Sequence, residues 1–205
     1  MPFPTYAVST ELDAVNQILS SVGQAPVTTL DLQNPEVSIV LNTLREINKQ
    51  VQAEGWIFNT EREYELVPDS VTNQIAYPTN LLQIDANQKQ HKSDYDVVRR
   101  NGKLYDRLNH TYTFTENIKA DVVWYFDFTD VPPAFQAYIT ARAARMCCVK
   151  MVGDRELQAL LQEQEMMTRA AAIEYDCNQG DYSMFGFSDG KDYYNSYQPF
   201  HALMR

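Results

Sequence analysis

Histidine, glycine and cysteine are scarce in this 205-residue chain, and each shortage excludes a class of chemistry. The three histidines, His91, His110 and His201, are far apart, with no i+4 partner and no cysteine at ligand spacing, so neither a metal site nor a cofactor is expected. Glycine occurs only seven times, and neither G-x-x-x-x-G-K-[ST] nor G-x-G-x-x-G is present to cradle a phosphate. A G-x-S-x-G nucleophile elbow is missing as well. The cysteines, Cys147, Cys148 and Cys177, are odd in number and form no C-x-x-C. Neighbouring helical residues point about 100° apart, so the adjacent two cannot pair without distortion, and reduced, partly buried thiols are expected.

Long apolar runs are also missing. No stretch approaches the roughly 18 to 20 residues a membrane span needs, and the opening MPFPTYAVST lacks the basic and apolar regions of a secretory leader. A soluble protein made in the cytoplasm is the expectation. Basic residues are few: 17 Lys and Arg stand against 27 Asp and Glu, for a net charge of -10. Such a balance argues against a surface that grips phosphates, because nucleic-acid affinity comes largely from cations displacing counterions. It does not exclude a protein that DNA must pass without sticking, but an acidic balance is most commonly a plain solubility device.

What is present describes a folded protein. Hydrophobic residues at 44% and charged residues at 21% are globular usage, and the length suits one domain or two subdomains without disulfide staples. Leu12, Val15, Ile18, Leu19 and Val22 mark one face of a helix capped by Thr10, with Asp13 as a capping-box partner and Gly23 as its stop. A second helix is predicted from Pro35 to about Glu54, capped by Asn34, with a stripe of Val37, Val40, Leu41, Leu44, Ile47 and Val51, and ended by Gly55. Between Trp56 and Phe128 the period falls toward two. There Glu61, Glu63 and Glu65 alternate with Arg62, Tyr64 and Leu66 as in a half-exposed strand. Asn101-Gly102 sits between Asp96–Arg100 and Lys103–Asp106 as a hairpin turn. Tyr112 and Phe114 suggest another strand, and Val122 to Phe128 a buried one. Helices return after Pro132-Pro133, first with Phe135, Tyr138, Ile139, Met146 and Val149 on one face. Gly153 closes that segment, and Asp154 caps a last helix striped by Leu157, Leu160, Leu161, Met167, Ala171 and Tyr175.

The predicted fold is therefore α+β. Residues 1–55 and 131–178 form a helical bundle from N- and C-terminal helix pairs, which neither pair could bury alone. Residues 56–130 form an inserted antiparallel β domain. Residues 179–205 form an extended arm that carries Tyr182, Phe185, Phe187, Tyr193, Tyr194, Tyr197 and Phe200 without helical or strand period. Rings in such a segment build no core of their own, so they are candidates for a subunit or partner interface, where Tyr and Phe are favoured. Packing back on the body is the other outcome.

Two further groups invite a chemical reading. Lys89 to His110 is locally basic, and its hairpin presents Arg99, Arg100, Lys103 and Arg107 to an acidic partner or to nucleic acid; a plain solvated hairpin has the same pattern. Glu61, Glu63 and Glu65, or Asp127 and Asp130, could supply the two carboxylates of a glycoside hydrolase, but with 27 acidic residues some lie close by chance.

A resemblance runs through the same residues. Glu11 to Gly23 (ELDAVNQILSSVG), with Pro26, Val27, Thr29 and Leu30 after it, resembles the opening of the tail tubular protein A family of T7-like short-tailed phages. The likeness continues through Gly55 to Glu61 (GWIFNTE), Leu66 to Asp69 (LVPD), Gly102, Tyr105-Asp106-Arg107, Pro133, Phe135 and Tyr138-Ile139. Leu160 to Glu163 (LLQE), Glu174-Tyr175 and Gly180 to Met184 (GDYSM) complete it, whereas Tyr77 to Val98 and the chain beyond Phe185 match poorly. The resemblance implies a non-enzymatic head-to-tail adaptor located in the virion tail. It implies a dodecameric ring of this chain between the portal protein and the tail nozzle protein (tail tubular protein B). Tail fibres would dock near that junction, and genomic DNA would pass without sequence-specific binding. A tail-associated glycan-degrading enzyme using paired carboxylates is the alternative, and a nucleic-acid-binding module using the basic hairpin is a third reading.

Overall fold

The structure, a computed structural model, describes residues 10–86 and 95–180. Helix α1 (Glu11–Ser21) begins at Thr10, whose hydroxyl accepts from the Asp13 amide while the Asp13 carboxylate accepts from the Thr10 amide, so the capping box forms as expected. Helix α2 (Pro35–Gln52) is capped by Asn34 and buries the whole stripe read from its period. Gly55 then turns the chain at φ 77, a left-handed conformation that glycine adopts without strain.

Strands β1 (Thr60–Leu66), β2 (Leu81–Asp85) and β5 (Ile118–Trp124) make an antiparallel sheet in the order β1-β5-β2, while β3 (Val97–Arg100) and β4 (Lys103–Asp106) form a separate hairpin. Helices α3 (Pro133–Met151) and α4 (Arg155–Gln179) follow. The described chain is thus a mixed α+β fold, with four helices flanking inserted antiparallel sheets. Two clusters of buried apolar residues hold it together. One joins α1, α2 and α3 through Val15, Ile18, Leu44, Ile47, Phe135, Tyr138 and Ile139, with Leu161 and Ala172 of α4 at its margin. The other gathers Leu66, Ile75, Leu81, Val97, Leu104, Phe114, Ile118 and Val122 from the strands and their connections.

Several expectations change. The run Val122 to Phe128 leaves the sheet after Trp124, because the Phe126 amide donates to the Gln52 side chain at 2.8 Å and Phe128–Asp130 closes into a 3-10 turn. Tyr112 and Phe114 lie in an irregular segment with isolated bridges only. There His110 takes φ 51 and the Thr111 hydroxyl accepts from the Thr113 amide, local bonds that compete with a ladder. In β1 the alternation of Glu61 to Leu66 fails: residues 61–65 are all exposed, because a bulge between Glu61 and Tyr64, with Glu63 at φ 54, re-aims the side chains.

The helical stripes near the C-terminus differ too. Val149 is exposed, and α3 instead buries Ala143, Ala144, Cys147 and Cys148, because α1 and α2 cover one side of it and α4 another. In α4, Leu160, Met167, Ala171 and Tyr175 are exposed, while Leu161 and Ala172 are buried. That helix has one helical neighbour, α3, so only a narrow seam of it is covered. Cys147 and Cys148 are buried and Cys177 is exposed, all three as free thiols. Among the described residues, no helix is long and apolar enough to cross a membrane.

Candidate functional site

Four basic residues of the β3–β4 hairpin form the part of the predicted site that the described residues contain. The turn is built as the dipeptide requires, with Asn101 at φ 52 and Gly102 at φ 70, a pair of positive angles that matches the right-handed twist of the strands. Ladder pairs are Val97 with Asp106, Val98 with Tyr105, Arg99 with Leu104 and Arg100 with Lys103. Residues directly opposite in an antiparallel pair project to the same face. Leu104 is therefore the buried neighbour of Arg99, and the outer face carries Arg100 and Lys103 side by side.

Each cation has a defined seat. The Arg99 guanidinium lies 4.9 Å from the centre of the Tyr77 ring, and burial pushes the Tyr77 phenol above its ordinary pKa, with Arg99 partly opposing that shift. Arg100 lies 4.1 Å over Tyr105, which meets Tyr112 edge-on at 4.8 Å. Lys103 Nζ donates to Gln74 Oε1 at 2.6 Å. Arg107 Nε donates to the Asp96 carboxylate at 2.9 Å, so its charge is matched within the hairpin. Gln74, Asn101, Lys103 and Tyr112 border a shallow hollow of about 270 Å³ on the outer face. This face offers cations, stacked rings and amides together, which suits carboxylate-bearing side chains better than any reaction.

Asp106 organises the base of the hairpin. It is fully buried, and its carboxylate accepts from the amides of Asp96, Leu108 and Asn109 and from the Asn109 side chain. Burial alone would raise its pKa, yet these hydrogen bonds outweigh burial and hold it below the ordinary carboxylate value.

Of the carboxylates considered as a catalytic pair, Asp127 and Asp130 are exposed. Glu61, Glu63 and Glu65 lie exposed along β1. Asp127 borders an open cleft of about 630 Å³ with Glu11 and Arg45, where Arg45 holds the two Glu11 oxygens at 3.0 and 2.9 Å. Elsewhere, hydrogen bonds from neighbouring groups hold Asp13, Asp69 and Asp106 below their ordinary pKa. No group of three potential metal ligands occurs among the described residues. Tyr182, Phe185, Phe187, Tyr193, Tyr194, Tyr197 and Phe200 lie outside the described residues, as do Lys89 and Lys92.

A polar junction escaped the sequence reading. Gln52 is fully buried, and its amide donates to the carbonyl of Phe126 and accepts from the amide of the same residue, both at 2.8 Å. Asn59 donates to the carbonyls of Gln52 and Trp124 at 2.9 Å and accepts from the Trp56 amide at 2.8 Å. These side chains fasten the end of α2 to the strand leaving the sheet. The available signal was Asn48 and Gln52, one turn apart beside an otherwise apolar stripe.

Comparison with known proteins adds two findings. A family model described as tail tubular protein matches residues 12–182. Tail tubular protein A of Klebsiella phage KP34 is 32% identical over 124 residues, a stretch covering 60% of this chain and 62% of that relative.

Proposed function

The chain belongs to the tail tubular protein family, and from that membership we propose that it is a structural adaptor in the tail of a short-tailed phage. In this reading its copies form a dodecameric ring between the portal protein and the tail nozzle protein, support the tail fibres and line the channel through which the genome passes. The observation that carries the proposal is the family match over residues 12–182, which takes in both the helices and the sheets. The family description names a structural part, and the chemistry of the site agrees, with carboxylates that are exposed, salt-bridged or pushed down in pKa.

Charge supports the same role. A net charge of -10 repels phosphates from the wall, whereas a basic lining would hold DNA during packaging and ejection. The hairpin alone is too small to overturn this. With Arg107 matched by Asp96, its outer face offers Arg100 and Lys103, and two phosphate contacts give a salt slope of only about -2, against six to ten contacts in a strong binder. Two cations opposed across a ladder cost stability, which favours an anionic protein partner on that face. In this reading the hairpin and the aromatic C-terminal segment are the partner-facing surfaces, and residues 1–55 with 131–178, residues 56–130 and residues 179–205 act as its three parts.

The test is to make particles without this gene product. The expected result is heads that package DNA but retain neither nozzle nor fibres. Complete tails on such particles would refute the adaptor role.

A further inference from the structure

Helix α4 joins the body through a thin apolar contact and a network of charges. Of its 25 residues only Leu161 and Ala172 are buried, and every other buried residue of the helical core lies outside it. Along the same seam, Glu165 of α4 pairs with Arg145 of α3 and, at 3.9 Å, with Arg142. Arg142 reaches Glu54, just beyond the end of α2, at 3.2 Å, and Arg169 of α4 meets the same carboxylate at 3.6 Å. Five side chains thus tie α4 to α3 and to the end of α2. Glu165 is the most covered of them, its side chain 14% exposed.

Three further ties run along the helix. Leu157 is half-buried against the core, Tyr175 meets Phe135 edge-on with 6.1 Å between ring centres, and Asp176 Oδ1 accepts from the Ile57 amide at 2.9 Å. On α3, Ala141 and Cys148 lie on the same side as Arg145 at 100° per residue, so much of the surface under α4 is small side chains and arginine. Away from that surface, Val15, Ile18, Leu44, Ile47 and Ile139 pack α1, α2 and α3 against one another. A seam of this kind parts more easily than a core. Partly exposed ion pairs are individually weak and are screened by salt, and regions with few buried apolar contacts open locally while the rest stays folded.

We propose that α4 is a releasable strap: it detaches from the body as a unit while α1, α2 and α3 remain folded, and the Glu165 network sets how often it does so. The inference goes beyond the adaptor reading and does not depend on a ring. In an adaptor, a strap of this kind lets one helix change position without unfolding the core.

The experiment is native-state hydrogen exchange of the full chain, followed amide by amide at low salt and in about 1 M NaCl, which screens charges beyond about 3 Å. The amides from Leu161 to Ala172 are expected to share one level of protection and to exchange about a hundredfold faster than those from Leu41 to Val51 of α2. Salt is expected to speed them about fivefold and to leave α2 unchanged. Glu165→Gln should give the same acceleration at low salt, and Arg145→Gln added to it no more than about twofold further, because that pair is already broken. Glu163→Gln, at an exposed carboxylate of the same helix, should change nothing. A common rate for α4 and α2 would show that they open only together and would overturn the strap. Protection that fades from the ends of α4 inward would overturn release as a unit. Exchange in α4 indifferent to both salt and Glu165→Gln would overturn control by the network.

Discussion

Gln52 and Asp106 are fully buried, and the polar groups of each hold backbone in place. Gln52 satisfies both the amide and the carbonyl of Phe126, and an unsatisfied buried group costs about 1–3 kcal/mol. Gln52→Leu, similar in size but unable to bond, is expected to destabilise the protein by about 2–4 kcal/mol in urea unfolding; a loss within experimental error would show that water or a shift of the chain replaces the side chain. For Asp106, the folded pKa lies below the ordinary value, so the unfolded chain takes up its proton first as pH falls. Its contribution is fully present above about pH 4 and is lost as pH falls through the lower, folded pKa. Melting temperature should therefore decline on acidification below about pH 4, and less steeply in Asp106→Asn; equal slopes in the two proteins would assign the decline to other carboxylates.

At the scale of elements, what could be read from the sequence followed from local rules. The capping box of Thr10 and Asp13, the Asn34-Pro35 start of α2 and the Asn101-Gly102 turn all formed, because each depends on residues within four positions of one another. What was illegible depended on distant neighbours. Strand β5 ends at Trp124 because Gln52, more than seventy positions earlier, captures Phe126. The stripe of α4 has the apolar period of a core helix, yet burial also needs a second surface, and its main contacts are with α3 and the short 3-10 turn at Ile57–Asn59. The hairpin yields a test of the local rule. A Cβ at Gly102 would meet nothing within 4 Å, so the cost of Gly102→Val comes from the backbone at φ 70 alone. It should be about 1–2 kcal/mol, with faster amide exchange confined to β3 and β4; exchange accelerated equally in α1 and α2 would contradict that localisation.

For the whole molecule, the features fit a part that works in copies. The helical core is closed around α1, α2 and α3, while α4 carries Leu160, Met166, Met167 and Ile173 exposed and the hairpin presents cations on an acidic protein. Family membership was legible in the sequence because its short motifs are spread in order along the chain. How copies would meet was not, since such contacts are specified by surfaces that exist only after folding. We propose that copies of this chain form a collar through which the genome passes. The decisive measurement is an electron-microscopic reconstruction of the intact particle at its tail vertex: a closed ring of this chain between portal and nozzle with a predominantly acidic inner wall is expected, and a vertex without that ring, or one whose channel this chain lines mainly with lysine and arginine, would overturn the proposal.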